Sequence, residues 1–330
     1  METISFCREI LGSNDSLEKL TKKDGKRVLE FLHYFEGEFN EFPLMDLKAP
    51  PGKGHILYIV GDLHGDLPAA RAVLDNFHTI KEELILKKGS DWKVKLLFLG
   101  DYIDRAPEDV MNGGFLTLLL LLCAKWVHPA DIFLLRGNHE AMDLLTFTPY
   151  ELPAELDDIF GEANSEDIHQ VLLSIFSRLP LFFRTSNGLI ASHAGFPKNR
   201  EAPISDMSKD DRNAILQTIW GDPVGSNTYR GDISRSSRFG REELEDFLEE
   251  NNAGVLVRGH DHRTMGYQMY GGKLLTIHTS SRYRDRGAKG LQLVRALVHG
   301  KKRIRDVDDI KFLHLEDGKL RGATIKRFKD

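Results

Sequence analysis

Five short apolar runs in this chain each lead into a cluster that pairs glycine with carboxylate, imidazole or amide side chains. HILYIV (55–60) leads into GDLHGD, KLLFL (95–99) into GDYIDR, DIFLL (131–135) into RGNHE, GLIAS (188–192) into SHAG and GVLV (254–257) into RGHDH. Val/Ile/Leu runs of this length, alternating with longer amphipathic segments, predict β–α units whose strands are buried on both faces. In open α/β sheets ligands gather beyond the carboxyl ends of strands, so five polar clusters at that one position predict a single composite site. A sixth run, KLLTIHT (273–279), has no such cluster after it.

The clusters also predict the chemistry. Glycine lets the backbone turn sharply straight after a strand, and Asp, His and Asn together suit borderline and hard divalent cations. GNHE or GDLHG alone would be weak, because four or five residues recur by chance and a lone histidine is more often a packed core or surface group. Order and spacing raise the odds. Asp62, Asp101, Asn138, His193 and His260 follow one another at intervals of 39, 37, 55 and 67 residues, each at its own strand end. The ensemble predicts a metal site.

Bulk properties bound the rest. A chain of 330 residues, 41% of them hydrophobic, can bury a large core and predicts one main domain with decorated ends. Residues 1–50 read as a helical cap ending at Pro50-Pro51, 51–300 as the catalytic domain, and 301–330 as strands joined by a turn at Asp317-Gly318. The net charge of −5 supplies no global field for nucleic acid or an anionic membrane, so phosphate recognition has to be local. Cys7 and Cys123 lack metal-type spacing and read as buried or free thiols in a reducing compartment. The N-terminus, METISFCREI, lacks a basic stretch followed by an apolar one, so no secretory signal is expected. The most apolar run, FLTLLLLLCA (115–124), is about half the ~20 residues that cross a bilayer and reads as a buried helix. A cytoplasmic protein is expected.

The series GDLHG (61–65), GDYIDR (100–105), RGNHE (136–140), HAG (193–195) and RGH (258–260) resembles that of the phosphoprotein phosphatase family of serine/threonine phosphatases, within the calcineurin-like metallophosphoesterase superfamily. The resemblance covers about residues 55–287 and extends to WGDP (220–223), RFG (238–240) and the strand KLLTIHTS followed by Tyr283. It implies an α/β fold in which a central β-sandwich is flanked by helices, with a dinuclear metal site at the strand ends. It further implies that Asp62 and His64 bind one metal ion, that Asn138, His193 and His260 bind the other, and that Asp101 bridges them. The two divalent ions would be manganese, or an iron/zinc pair. A water shared by the ions would attack phosphorus in line, His139 would protonate the leaving oxygen, Asp104 would orient His139, and Arg105 would fork onto the phosphate oxygens. Phosphorylated proteins or peptides are the substrates so implied. A regulatory subunit is left open.

The chain departs from the family pattern in three places. Ala106-Pro107 follows GDYIDR where the family has glycine, so the turn after Arg105 is expected to be reshaped. The family's second phosphate-binding arginine matches Arg230 of the pair Arg230-Gly231, but Phe239 comes nine positions later, and Arg235 or Arg238 are alternatives. RGHDH adds His262, which elsewhere in the superfamily corresponds to a ligand of the first metal and here is either a seventh ligand or a surface histidine. Tyr283 falls where the family places a tyrosine near phosphate. A second reading is a dinucleoside tetraphosphate hydrolase, with Phe147, Tyr150 and Phe160 of the insert 146–167 stacking on bases. A phosphotyrosine phosphatase and a silent scaffold are further alternatives, the scaffold disfavoured because no ligand of the set is missing.

Overall fold

The structure is a computed structural model describing residues 2–13, 17, 19, 24–88, 91–198, 202–225, 237–286, 291–300 and 302–328. In chain order its elements are α1 (Glu2–Gly12), α2 (Gly25–Glu38), β1 (Leu44–Leu47), β2 (Gly54–Val60), α3 (Leu67–Lys88), β3 (Trp92–Phe98), α4 (Gly113–Val127) and β4 (Ile132–Leu134). There follow α5 (Leu152–Phe160), α6 (Glu162–Phe176), β5 (Phe182–Thr185), β6 (Leu189–Ser192), α7 (Arg212–Trp220), α8 (Arg241–Glu250) and β7 (Val255–Arg258). The chain finishes with β8 (Tyr267–Met269), β9 (Leu274–Thr276), β10 (Leu291–Val298), β11 (Lys311–Glu316), β12 (Lys319–Gly322) and β13 (Lys326–Arg327).

The strands make two sheets, ordered β1-β5-β6-β7-β9-β8-β13 and β12-β11-β10-β2-β3-β4. Alternation along each strand sorts its side chains between two faces. Leu57, Ile59, Leu97 and Leu99 of the second sheet pack in one buried layer with Leu189, Ala191, Val255 and Val257 of the first. Tyr58, Val60, Leu96 and Phe98 instead join the helical layer of α3 and α4. On the far side Ile190 and Leu256 join Ile215, Ile219, Leu244 and Phe247 of α7 and α8. The result is the expected α/β sandwich, helix on sheet on sheet on helix. The β–α runs feed two sheets rather than one, because run length says nothing about which sheet a strand joins. β2, β3 and β4 are parallel, and so are β6, β7 and β9, giving each sheet three adjacent strands whose carboxyl ends point the same way.

The run 115–124 is the buried helix its composition predicts. Every residue of α4 from Gly113 to Lys125 is buried, which a helix apolar all round requires. The N-terminal helices cover it, with Phe31 and Phe35 of α2 lying 6.3 and 6.1 Å from Trp126. Cys7 and Cys123 are free thiols within this layer. No described helix is long and apolar enough to cross a membrane. The N-terminal segment is helical only to Glu38. Leu44–Leu47 then forms an edge strand parallel to β5, since Pro43 cannot continue a helix and the apolar residues after it extend the sheet. At the other end Asp317 and Gly318, at φ 49° and 71°, form the turn between β11 and β12. β13 then pairs with β8, so the last thirty residues add strands to both sheets.

Helix α4 begins under a carboxylate from another helix. Glu155 of α5 accepts hydrogen bonds from Gly114 N (3.1 Å) and Phe115 N (2.6 Å), two amides that a helix start leaves without intrahelical partners. Burial raises the Glu155 carboxyl from its ordinary value to about 7. Between about 4.5 and 7 the folded chain therefore keeps a proton that the unfolded chain releases, and the contribution of this group falls as pH rises through that window. An E155Q variant removes the titration. Its thermal stability relative to the parent is expected to improve by an amount on the order of 1–2 kcal/mol between pH 5 and pH 8, and a pH-independent difference would refute this.

Candidate metal centre and active site

Six strand ends converge, three from each sheet. After β2 come Asp62 and His64, after β3 Asp101, Asp104 and Arg105, and after β4 Asn138, His139 and Glu140; the other sheet supplies His193 after β6, His260 after β7 and His278 after β9. The sheets touch at this point through a bridge between Asp62 and His278, where Thr279 N and Ser280 N donate to Asp62 O at 3.1 and 2.8 Å.

The backbone is bent to bring these residues together. His64, Asp101, Asp104, Arg105 and His260 all have φ between 48° and 69°, a left-handed conformation that costs a non-glycine residue about 1–3 kcal/mol and persists only where its surroundings enforce it. Two glycines permit the close approach. A Cβ on Gly137 would lie 2.3 Å from Asp101 Oδ1, and one on Gly259 would lie 2.1 Å from Asp62 Oδ1.

Asp101 lies between two groups of donor atoms. Its Oδ2 is 3.6 Å from His64 Nε2, and its Oδ1 is 3.4 Å from His193 Nε2. On the first side Asp62 Oδ2 is 3.9 Å from His64 Nε2 and 3.5 Å from His278 Nε2. On the second, Asn138 Oδ1 is 3.0 Å from His193 Nε2 and 2.8 Å from His260 Nδ1, and the two ring nitrogens are 3.2 Å apart. The triads Asp62–His64–His278, His64–Asp101–His139 and Asp101–His193–His260 each bring their ligand atoms within 4.8 Å.

Histidine tautomers show that this donor set fits cations. Leu99 O, 2.9 Å from His193 Nδ1, can only accept, so Nδ1 carries the proton. Burial lowers His193 to about 4, leaving the ring neutral and Nε2 as a bare lone pair facing the oxygens of Asn138 and Asp101. His64 repeats the arrangement, with Nδ1 3.3 Å from Ile103 O, burial lowering its basicity well below normal, and Nε2 turned to Asp101. Burial also raises the pKa of Asp62, and that of Asp101 well above the usual carboxylate range. Lone pairs converging on lone pairs beside two desolvated carboxylates are stabilised by positive charge placed between them. The chain thus has the residues to hold two divalent ions, one on each side of Asp101. His278 was missed by the sequence reading. It lies inside KLLTIHT, and treating that sixth run as a sixth strand end would have found it.

Beside the cluster, His139 Nδ1 is 2.7 Å from Asp104 Oδ2, with both residues buried. Burial raises the Asp104 carboxyl to about 6. Glu140 accepts from Asp101 N (2.8 Å), Tyr102 N (2.8 Å) and Gly137 N (3.0 Å), fastening the loop of Asp101 to that of Asn138. Arg136 and Arg258 are buried in ion pairs with Asp143 at 2.5 Å and Asp222 at 3.1 Å, so neither guanidinium is presented to a substrate. Tyr283 lies 4.7 Å from His278, edge to face, and stacks on His262 at 4.7 Å. His262 belongs to none of the three triads, and His278 stands with Asp62 and His64 instead. Arg230 and Arg235 lie outside the described residues, and the described Arg238 accepts Lys198 Nζ on its carbonyl at 2.6 Å.

Of the insert's aromatic residues only Phe147 reaches the site, 4.6 Å from His139. Tyr150 OH is 2.7 Å from His169 Nε2, and Phe160 packs edge-on against Phe115 of the core at 5.4 Å.

Parallel strands in two facing sheets, ending in Asp/His/Asn clusters around one shared carboxylate, define a metal-dependent phosphoesterase site. The calcineurin-like phosphoesterase family matches residues 56–264, more than half of the chain, and the chain belongs to that family. It is 27% identical over 283 residues to the serine/threonine-protein phosphatase 4 catalytic subunit of Saccharomyces cerevisiae, covering 79% of this chain and 80% of that one. It is 28% identical over 262 residues to serine/threonine-protein phosphatase 5 of Arabidopsis thaliana, covering 75% of this chain but 44% of that longer one. The fold is shared with a protein serine/threonine phosphatase from Saccharomyces cerevisiae described as similar to human phosphatase PP5, at a TM-score of 0.63 and 22% identity over 94% of this chain and 91% of that one. The chain is a hydrolase of phosphoester bonds.

Proposed function

We propose that this chain removes phosphate from phosphoserine and phosphothreonine in proteins. The observation that carries the reading is the shared carboxylate of Asp101 with the His139–Asp104 pair directly beside it, one oxygen of Asp101 facing each donor group. Asp62, His64 and His278 would hold one divalent ion and Asn138, His193 and His260 the other, with Asp101 shared. When bound, such a pair supplies a water that is acidic at neutral pH and neutralises charge on the phosphoryl oxygens. Arg105 orients the phosphate through its guanidinium fork. His139 carries a proton on Nε2 to the leaving serine or threonine oxygen, and Asp104 keeps the ring oriented from Nδ1. Tyr283 borders the phosphate, and Arg230 or Arg235 is the proposed second arginine. Manganese, or an iron/zinc pair, suits these ligands. Two buried free thiols suit a reducing, cytoplasmic setting.

The dinucleotide reading required a stacking pocket from the insert. Phe160 is committed to the core and Tyr150 to His169, which favours the phosphoprotein reading. Manganese-dependent phosphate release from a panel of phosphoserine, phosphothreonine and phosphotyrosine peptides, measured beside p-nitrophenyl phosphate and diadenosine tetraphosphate, tests it. Serine and threonine peptides are expected to be the preferred substrates, and selective cleavage of the dinucleotide would overturn the assignment.

A further inference from the structure

The turn bearing Asp104 and Arg105 is strained and in an unusual sequence context. Both residues have left-handed φ, 59° and 57°, and the residues that follow are Ala106 and Pro107 rather than a glycine that could absorb the turn. Such a pair needs an external clamp. It comes from the start of α5. Glu151 Oε2 accepts Arg105 N at 2.6 Å, while Asp104 Oδ1 accepts Glu151 N at 2.6 Å and Leu152 N at 3.3 Å. The clasp is reciprocal: Asp104 caps α5, and the residue at that helix start caps the turn carrying Asp104. Meanwhile the other oxygen of Asp104 holds His139 Nδ1 at 2.7 Å.

We propose that Glu151 is a positioning residue for this reaction, setting through one clasp both the phosphate-orienting Arg105 and, by way of Asp104, the proton-donating His139. The inference rests on the phosphatase reading above and adds to it a role for the insert 146–167. That segment acts as a brace, and the chain places it where a glycine would otherwise relieve the turn. Glu151 belongs to none of the donor clusters. Its effect passes through two backbone amides, its own N–H to Asp104 and that of Arg105 to its carboxylate. Glu155, one turn along the same helix, fixes α5 against the start of α4 and so anchors the clasp to the core.

The two arms of the clasp have separable signatures. Moving Arg105 weakens phosphate binding and raises KM for every substrate. Tilting His139 lowers kcat only where the leaving oxygen needs a proton, as for serine, and much less for p-nitrophenolate, a stable anion. The test is full-length E151A beside E151Q, with metal content and far-ultraviolet circular dichroism measured for both. Glutamine keeps an oxygen that can accept Arg105 N–H, whereas alanine keeps none. E151A is expected to raise KM for both p-nitrophenyl phosphate and a phosphoserine peptide about 10-fold, the loss of about 1.4 kcal/mol of binding. It is also expected to lower kcat about 10-fold further for the peptide than for the aryl ester, a share of the roughly 10²–10⁴ attributable to a general acid. E151Q should restore most of both. Parent-like kinetics in a folded, metal-loaded E151A, or an equal fall of kcat on both substrates without a KM change, overturns the inference. So does failure of E151Q to rescue. If the parent enzyme proves inactive on phosphopeptides but active on p-nitrophenyl phosphate, the substrate assignment fails while the KM arm still tests the clasp.

Discussion

An Asp101→Asn variant is expected to retain at most one divalent ion per chain after gel filtration, against about two for the parent, and to lose about 10³-fold in turnover, roughly 4 kcal/mol of barrier. The carboxamide has nearly the shape of the carboxylate it replaces and could still accept the hydrogen bond that His139 N makes to Oδ1 at 3.0 Å. What the substitution removes is the negative charge lying between His64 Nε2 and His193 Nε2, with one oxygen 3.6 Å and the other 3.4 Å away. No neighbour can replace that charge. Glu140 commits its carboxylate to three backbone amides, and Asp62 faces His64 and His278 on one side only. Inductively coupled plasma mass spectrometry on the purified variant checks the first part, and phosphopeptide turnover the second. A variant with full metal content and activity would exclude Asp101 as the shared ligand.

The second large effect belongs to His139. H139N should keep its metal, because His139 lies beside the ligands proposed for each ion and is bound to Asp104 instead. It should turn over a phosphoserine peptide about 10²–10⁴-fold more slowly, with a much smaller loss on p-nitrophenyl phosphate. Asp104→Asn should resemble it. A carboxamide can present nitrogen or oxygen to His139 Nδ1 but cannot stabilise the charged imidazole as a carboxylate does. Because the pair acts as one unit, the double variant should be no worse than the worse single one. Multiplicative losses on the peptide would mean that the two residues act independently.

Much of the site was legible because its chemistry is local to strand ends. Each GD, GN and GH couplet places a ligand-type side chain beside a glycine, and the structure shows why: at Gly137 and Gly259 any side chain would collide with Asp101 or Asp62. The apolar helix 113–127 and the turn at Asp317-Gly318 were equally legible from composition and turn chemistry. What the sequence concealed depends on contacts distant along the chain. His278 lies 216 positions from Asp62 and becomes a neighbour only when the two sheets meet. The role of Glu140 is invisible until the loops of Asp101 and Asn138 are side by side. His262, two residues after His260, was left between a seventh ligand and a surface histidine by the resemblance, and its stacking on Tyr283 depends on a loop more than twenty residues later. Division of the parallel strands between two sheets is likewise a property of pairing, since buried strands of either sheet have the same composition.

The bridge between Asp62 and His278 has a consequence for the life of the protein before any turnover. Asp62, His64, Asp101 and Asn138 follow strands of one sheet, and His193, His260 and His278 follow strands of the other. Ions held among them are therefore cross-links that suture the two halves of the sandwich along one edge. Binding to the folded chain alone would add about 2.7 kcal/mol of stability at a hundredfold excess over the dissociation constant. Without the ion that edge would keep only its protein contacts, so supply of the metal would set part of the stability of the fold as well as the rate of each copy.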